Sequence, residues 1–403
     1  MDRFASTAAD QLGLYISIPF CRSKCTYCNF ASGVFPASYF ERYAERLESD
    51  LHSIRERAGK WGAALPERVD SIYLGGGTPS LLPAALMQRL FAAVRGELAV
   101  DRGAEITVEC APGQLEDTTL ETMARCGVNR VSFGVQSFVD EEARHTGRLH
   151  TRAIALRDVE RVRHAGIRRV NLDLIAGLPG QTRASWRESL DVLCDAEPDH
   201  ASVYMLEVDD DSRLGREIGT GGLKYYAPQV PADDVITEMY SDAVEFLGTR
   251  GLRQYEISNF ARAGSESQHN LKYWRRQPYL GLGLDAHSML RDREGRALRF
   301  ATTDQLEPFL AAPGWDDPER LTREQELEEA WFLGLRLNTG VSMAALEAEF
   351  GHGTLRQFGP LLEELAADGM ITREGESVRL TPVGRLLSNE VFSRFLREPA
   401  SAA

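Results

Sequence analysis

Residues Leu14-Tyr15-Ile16-Ser17-Ile18 run through Pro19 and Phe20 into Cys21-Arg22-Ser23-Lys24-Cys25-Thr26-Tyr27-Cys28, and this junction decides the fold. The apolar stretch is short and broken by Ser17 and Pro19, so it reads as a strand, with the three cysteines in the loop that follows it. In a parallel barrel the loops after strands carry function. Three thiolates can hold three irons of a cubane cluster and leave one iron open. A zinc site would need a fourth protein ligand: the nearest histidine, His52, lies well down the next helix, and Asn29 and Phe30 supply neither thiolate nor imidazole. Cys110, Cys126 and Cys194 are scattered, so cysteine usage indicates metal-ligand clustering in a reducing compartment, and a cytoplasmic location is expected.

Outward from the junction, short runs rich in branched residues alternate with longer amphipathic ones up to about residue 250. Strands are predicted at Leu14–Ile18, Ser71–Leu74, Glu105–Glu109, Arg130–Val135, Arg169–Ile175 and Ala201–Leu206. Between the first two, Phe40, Tyr43, Leu47, Leu51 and Ile54 recur at helical spacing behind Ser38, a predicted N-cap. Further helices are predicted near 84–98, 115–125, 152–165, 182–195 and 233–250. Six βα units imply an α/β incomplete barrel over 1–250. Aromatic-rich, irregular sequence then fills 251–315, up to a break at Pro313–Trp315, and 316–403 reads as a small winged-helix-like α+β domain.

The composition, 43% hydrophobic and 26% charged, excludes a disordered or fibrous chain. With 46 basic and 60 acidic residues the net charge is −14, which opposes phosphate-backbone binding. The winged-helix-like tail does not change this, because residues 321–397 hold 8 Arg, no Lys and 12 acidic side chains. No nucleic acid is expected as a partner. The N-terminus, with Asp2 and Arg3, shows no signal peptide, and no transmembrane or basic amphipathic helix is visible, so membrane contact is expected to be peripheral at most.

Polar residues recur at the ends of the predicted strands. Gly75-Gly76-Gly77-Thr78-Pro79 follows the second, where missing side chains would let a ligand approach the backbone; Glu109 ends the third, Gln136 the fourth, Asp173 lies on the fifth and Arg148 follows the fourth. The Cys21, Cys25 and Cys28 loop and this mouth together resemble the radical S-adenosylmethionine (SAM) superfamily, a (βα)6 partial TIM barrel. The resemblance implies a [4Fe-4S] cluster on the three cysteines. It also implies SAM contacts at Gly76, Gly77, Thr78, Glu109, Gln136, Arg148 and Asp173, with Tyr15 and Tyr27 matching further SAM or cluster positions.

A third block, Gln254–Phe260, then the HNxxYW motif His269-Asn270-Leu271-Lys272-Tyr273-Trp274 and Gly281–Ser288, narrows the resemblance. Together with Leu380–Gly384 and Leu387-Ser388-Asn389, it is similar to the haem-chaperone group of the coproporphyrinogen dehydrogenase-like proteins. That likeness implies haem as cargo, delivery to respiratory-chain haem enzymes or their assembly factors, and dimerisation. An imidazole can ligate haem iron while aromatic rings pack on the macrocycle, so His269, Tyr273 and Trp274 are haem-site candidates, with His287, His145 and His150 behind them. Leu284 and Asp285 depart from the group's usual pattern. Two alternatives stay open. One is an oxygen-independent coproporphyrinogen III dehydrogenase; against it stand Phe30, where that group has a further cysteine, and a first strand expected near residue 14 without that group's N-terminal extension. The other is a radical SAM enzyme acting on a tetrapyrrole.

Overall fold

Strand β1 (Gln11–Ile18) buries Leu12, Leu14, Ile16 and Ile18 on one face and turns Tyr15 and Ser17 to the other, the two-residue alternation of a pleated strand. The same alternation repeats in β2 (Arg68–Gly76), β3 (Ala99–Cys110), β4 (Arg130–Gln136), β5 (Arg169–Ala176) and β6 (His200–Met205), which pair in parallel in that order. Their outer faces are apolar, as with Ile72 and Leu74, Ile106 and Val108, or Leu172 and Leu174. Their inner faces are polar, and the register sets Tyr15 beside Tyr73, Tyr73 beside Thr107, Glu109 beside Ser132 and Gly134 beside Asp173. The six predicted strands therefore stand where expected.

This is a computed structural model, and it describes residues 11–312 and 314–396. Asp2, Arg3 and Pro313 lie outside the described residues. Helices cover the apolar faces: in Ser38–Trp61 the residues Tyr43, Leu47, Leu51 and Ile54 are buried, as their spacing predicts. Ser38 is the first residue of that helix and Ala37 its N-cap, with no side-chain cap bond. Thr182 does cap Arg183–Asp195, in a reciprocal box with Ser185.

The segment after residue 250 is not a body apart. Asn259–Ala261 pairs antiparallel with β6, while Tyr279–Leu282 pairs parallel with β1. One stretch of chain thus extends both edges of a 13-stranded sheet. Gly283 and Leu284 tuck under helix Ser38–Trp61, where the Tyr43 hydroxyl donates to Ser17 O at 2.8 Å and accepts from Leu284 N at 2.7 Å. Beyond it, helices Arg323–Leu335, Met343–Phe350 and Gly359–Ala367 and a three-stranded antiparallel sheet build the small C-terminal domain. Its own core includes Trp331 stacked on Phe395, with Leu335 and Leu362. Among the described residues no helix is long and apolar enough to cross a membrane.

Candidate functional site

The C-terminal ends of the barrel strands open into a cavity of about 920 Å3. Cys21, Cys25 and Cys28 line one wall, and Gly76, Gly77, Thr78, Glu109, Gln136, Arg148, Asp173 and Tyr27 line the floor and sides. The residues expected at the cluster and SAM thus converge, except that Tyr15 does not line the cavity, its ring standing 6.2 Å from that of Tyr73.

The cysteine loop is pinned on several sides. Cys21 N donates to Gly33 O at 2.8 Å, Thr26 N to Thr146 O at 3.1 Å, and Leu214 N to Thr26 O at 2.9 Å. Lys24 reaches the carbonyls of Phe30 and Ser32 at 3.1 and 3.0 Å. Hydroxyls stand near two thiols: Thr78 Oγ1 is 3.9 Å from Cys21 Sγ, and Ser32 Oγ is 3.8 Å from Cys28 Sγ. Burial pushes the Cys21 thiol up, against hydrogen bonds from Ser32 and Thr78.

At Gly77 the missing side chain also serves the chain's own packing. Gly77 N and Thr78 N donate to Ile18 O and Phe20 O at 2.9 and 2.8 Å, so these amides are already used within the chain. A Cβ on Gly77 would come within 2.8 Å of Ile18 O, Phe20 O and Pro19 C. What approaches Gly77 closely is the protein's own backbone at the root of the cysteine loop.

Opposite, Arg148 crosses the strand at Gly134, where a Cβ would stand 2.2 Å from its Nη2. Burial opposes the Arg148 charge, but Cys25, Tyr27 and Asp173 hold its pKa above the usual value. Asp173 accepts from Asn171 Nδ2 at 2.6 Å and Ser132 Oγ at 3.2 Å, and burial raises its pKa. Glu109 accepts from the Tyr73 hydroxyl at 2.8 Å, and burial lifts its carboxyl to about 7. Gln136 holds a left-handed φ of 71° at a register shift in β4–β5, an irregularity of the kind that re-aims a side chain. Among the described residues, Gln136 Oε1 and Arg148 Nε have no hydrogen-bond partner. Sequence reasoning missed Tyr73, although its register beside Tyr15 places it on the inner face.

The matches with known proteins agree with this geometry. Residues 15–193 match the model of the radical SAM superfamily, and residues 321–387 that of the HemN C-terminal domain. The heme chaperone HemW of Bacillus subtilis is 33% identical over 95% of this chain and 99% of its own length. The chain belongs to the HemW family. HemW of Escherichia coli is 32% identical over 96% of the chain and 98% of its own. The structure titled coproporphyrinogen III oxidase (HemN) from E. coli superposes with a TM-score of 0.81 at 24% identity, covering 96% of this chain and 90% of that one, which shows the shared fold.

Membership of the radical SAM superfamily implies a [4Fe-4S] cluster and SAM, and the residues present fit both. Three thiols share a wall, and unpartnered polar atoms of Gln136 and Arg148 belong to residues lining the same cavity. Among the described residues no three His, Cys, Asp or Glu side chains converge as they would on a single ion. A cubane needs no such convergence, because it gives each thiolate its own iron.

The haem-site expectation meets a different environment. His269 is 1% exposed at the opposite end of the barrel, with Nδ1 3.0 Å from Ser71 Oγ and Nε2 2.8 Å from the Tyr273 hydroxyl. Burial, then Lys272, lowers its pKa to about 3. Both ring nitrogens are engaged, so iron would have to displace one of these bonds. Tyr273 packs edge-on to Tyr279, and Trp274 lies under the guanidinium of Arg336 at 4.2 Å. The motif reads as haem-binding in sequence because an imidazole beside aromatics is chemically apt, but periodicity does not tell a presented ring from a buried one. His287 is exposed beside Asp285, His145 stacks on Tyr226 at 3.8 Å, and His150 is buried with its pKa lowered to about 4 by desolvation.

Proposed function

We propose that this protein binds haem and hands it to haem-dependent respiratory proteins in the cytoplasm, as a chaperone carrying a [4Fe-4S] cluster on Cys21, Cys25 and Cys28 with SAM beside it. The observation that carries this reading is the cavity itself, roofed by the C-terminal domain through Arg336 and Arg385–Glu390. Its 920 Å3 lies at the upper end of small-molecule sites, about 300–1,000 Å3. Near-full-length similarity to proteins named heme chaperone supports the choice of cargo.

A cluster and SAM, when bound, supply one-electron chemistry at the mouth. Around them Glu109, Gln136, Arg148 and Asp173 supply hydrogen-bond and charge complementarity for a ligand bearing both ammonium and carboxylate. Tyr73 fixes the orientation of Glu109, and Ser132 with Asn171 that of Asp173. We place haem in this cavity, not at His269, because the cavity is open and His269 is not.

The assembled mouth also suits the dehydrogenase alternative, and one experiment separates the two. Anaerobically reconstituted protein is given SAM, a low-potential reductant and coproporphyrinogen III, and in parallel haem and an apo-haem protein. The chaperone reading expects haem transfer without protoporphyrinogen formation. Sustained turnover with no haem transfer would overturn it.

A further inference from the structure

Two guanidiniums face the cavity from the C-terminal domain, and only one of them is matched by an acid. Arg336, at the end of helix Arg323–Leu335, lies 3.4 Å from Glu256 Oε2, and Glu256 is fully buried. Glu256 is itself held by Ser258 N at 3.0 Å and by Asn259. With Trp274 beneath it, Arg336 is fixed at the cavity wall, and among the described residues its Nε has no hydrogen-bond partner. Arg385, in the short helix Pro382–Leu386, is half-buried and donates from Nη1 to Leu380 O at 3.1 Å. Among the described residues no carboxylate lies within 4.0 Å of its guanidinium. Burial lowers the Arg385 pKa, against an opposing influence from Tyr240. Tyr240 and Ile257 line the same cavity as both arginines, the Tyr240 hydroxyl donates to Ile257 O next to Glu256, and both guanidiniums lower the pKa that burial raises at Tyr240.

Bringing two cations to one cavity wall and pairing only one of them with a carboxylate leaves the other guanidinium without a counter-charge, and desolvating it in that state is unfavourable. Such an arrangement persists where a ligand supplies the anion, and a guanidinium fork matches a carboxylate. We propose that Arg385 and Arg336 form a carboxylate subsite that takes the propionates of the tetrapyrrole. Trp274 of the HNxxYW block is then a positioning residue that acts through Arg336. This assignment rests on the haem reading above.

The test uses the full chain with its cluster reconstituted. Haem, haem dimethyl ester and SAM are titrated separately into wild type, Arg385→Gln and Arg336→Lys. Among the described residues the Arg385 guanidinium bonds one backbone carbonyl, so its substitution leaves the fold intact, whereas removing all charge at Arg336 would strand Glu256; lysine keeps the charge and loses the fork. We expect Arg385→Gln to weaken haem binding about tenfold or more, and Arg336→Lys to weaken it less. The dimethyl ester should bind wild type and variants alike, and SAM affinity should not change. Equal haem affinity in all three proteins overturns the subsite while leaving the haem reading in place. A loss that falls on SAM instead reassigns the carboxylate to that ligand and overturns the propionate assignment. Failure of wild type to bind haem defeats both readings together.

Discussion

Gly77→Ala separates two roles for the glycine run. If Gly77 exists to let SAM approach, the substitution lowers SAM affinity and leaves the apo-protein unaffected. The structure gives the opposite expectation. The new Cβ would stand 2.8 Å from Ile18 O, Phe20 O and Pro19 C, all backbone atoms that cannot rotate away. They belong to the segment that ends one residue before Cys21. Relief requires the two chains to separate, which lengthens the Gly77–Ile18 and Thr78–Phe20 bonds of 2.9 and 2.8 Å. Overpacking in a filled site costs about 1–3 kcal/mol, and two weakened backbone bonds add about 0.5–1.5 kcal/mol each. The assay is thermal unfolding of the cluster-free chain without SAM, followed by iron content after anaerobic reconstitution. We expect Tm to fall by several degrees and iron per chain to fall with it. Wild-type Tm and iron content, with only SAM affinity reduced, would refute the reasoning.

Other expectations follow from the same geometry. His269→Ala removes the partner of both Ser71 and Tyr273 and leaves a buried void, so stability should drop by about 2–4 kcal/mol in denaturant titrations, while the chains that keep their iron still bind haem; intact stability and iron content with haem binding abolished would restore His269 as a ligand. Gly134→Ala meets the movable end of Arg148, so the fold should survive while Arg148 is displaced and SAM binding weakens, measured by calorimetry on cluster-loaded protein; unchanged SAM affinity would count against Arg148 as a contact. Burial raises the Glu109 carboxyl from 4.5 to about 7, so between those values the folded chain holds a proton that the unfolded chain has lost. Its contribution to stability is therefore present below pH 4.5 and lost as pH rises through 7. In cluster-free protein, Glu109→Gln should flatten that part of the stability–pH curve, and an unchanged curve would show that Glu109 titrates normally.

The barrel was legible because β1 to β6 obey a two-residue alternation and their helices a three- and four-residue one, both local patterns. The mouth was legible for a related reason: strand ends fix where a side chain emerges, so Glu109, Gln136, Asp173 and the cysteine loop could be placed together without knowing the packing. What stayed hidden depends on contacts distant in sequence. Within residues 251–315, Asn259–Ala261 and Tyr279–Leu282 stayed hidden because they are only 3 and 4 residues long, too short for periodicity to register. They become strands because β6 and β1 offer free edges. Arg336 and Arg385 carried no motif of their own, and only the seating of the C-terminal domain over the mouth gives them meaning. Ser38 failed as a cap because Ala37 is already helical, with φ −58° and ψ −24°, so the serine falls inside the helix.

The burial of the HNxxYW block changes how a loss of haem binding in its variants should be interpreted. Lys272 pairs with Asp70 at 2.8 Å and reaches Gln11 O at 3.4 Å, and His269 holds Ser71. These partners lie at the starts of β1 and β2, whose far ends carry Ile18 and the glycine run. Gly13 N donates to Pro278 O at 3.0 Å, and Tyr279–Leu282 then runs along β1. The block therefore braces the two strands that deliver the cysteine loop. A substitution there can loosen the cluster site from the other end of the barrel, and haem binding would fall without any haem contact being lost. Iron content decides between the two causes. A His269 or Lys272 variant that loses haem in proportion to iron reports on the brace, whereas one that keeps its iron and loses haem would place the cargo at the barrel base. The structure predicts the first outcome for His269 and Lys272. Trp274 should behave differently, losing haem with iron retained, because it acts on Arg336 at the cavity and not on β1.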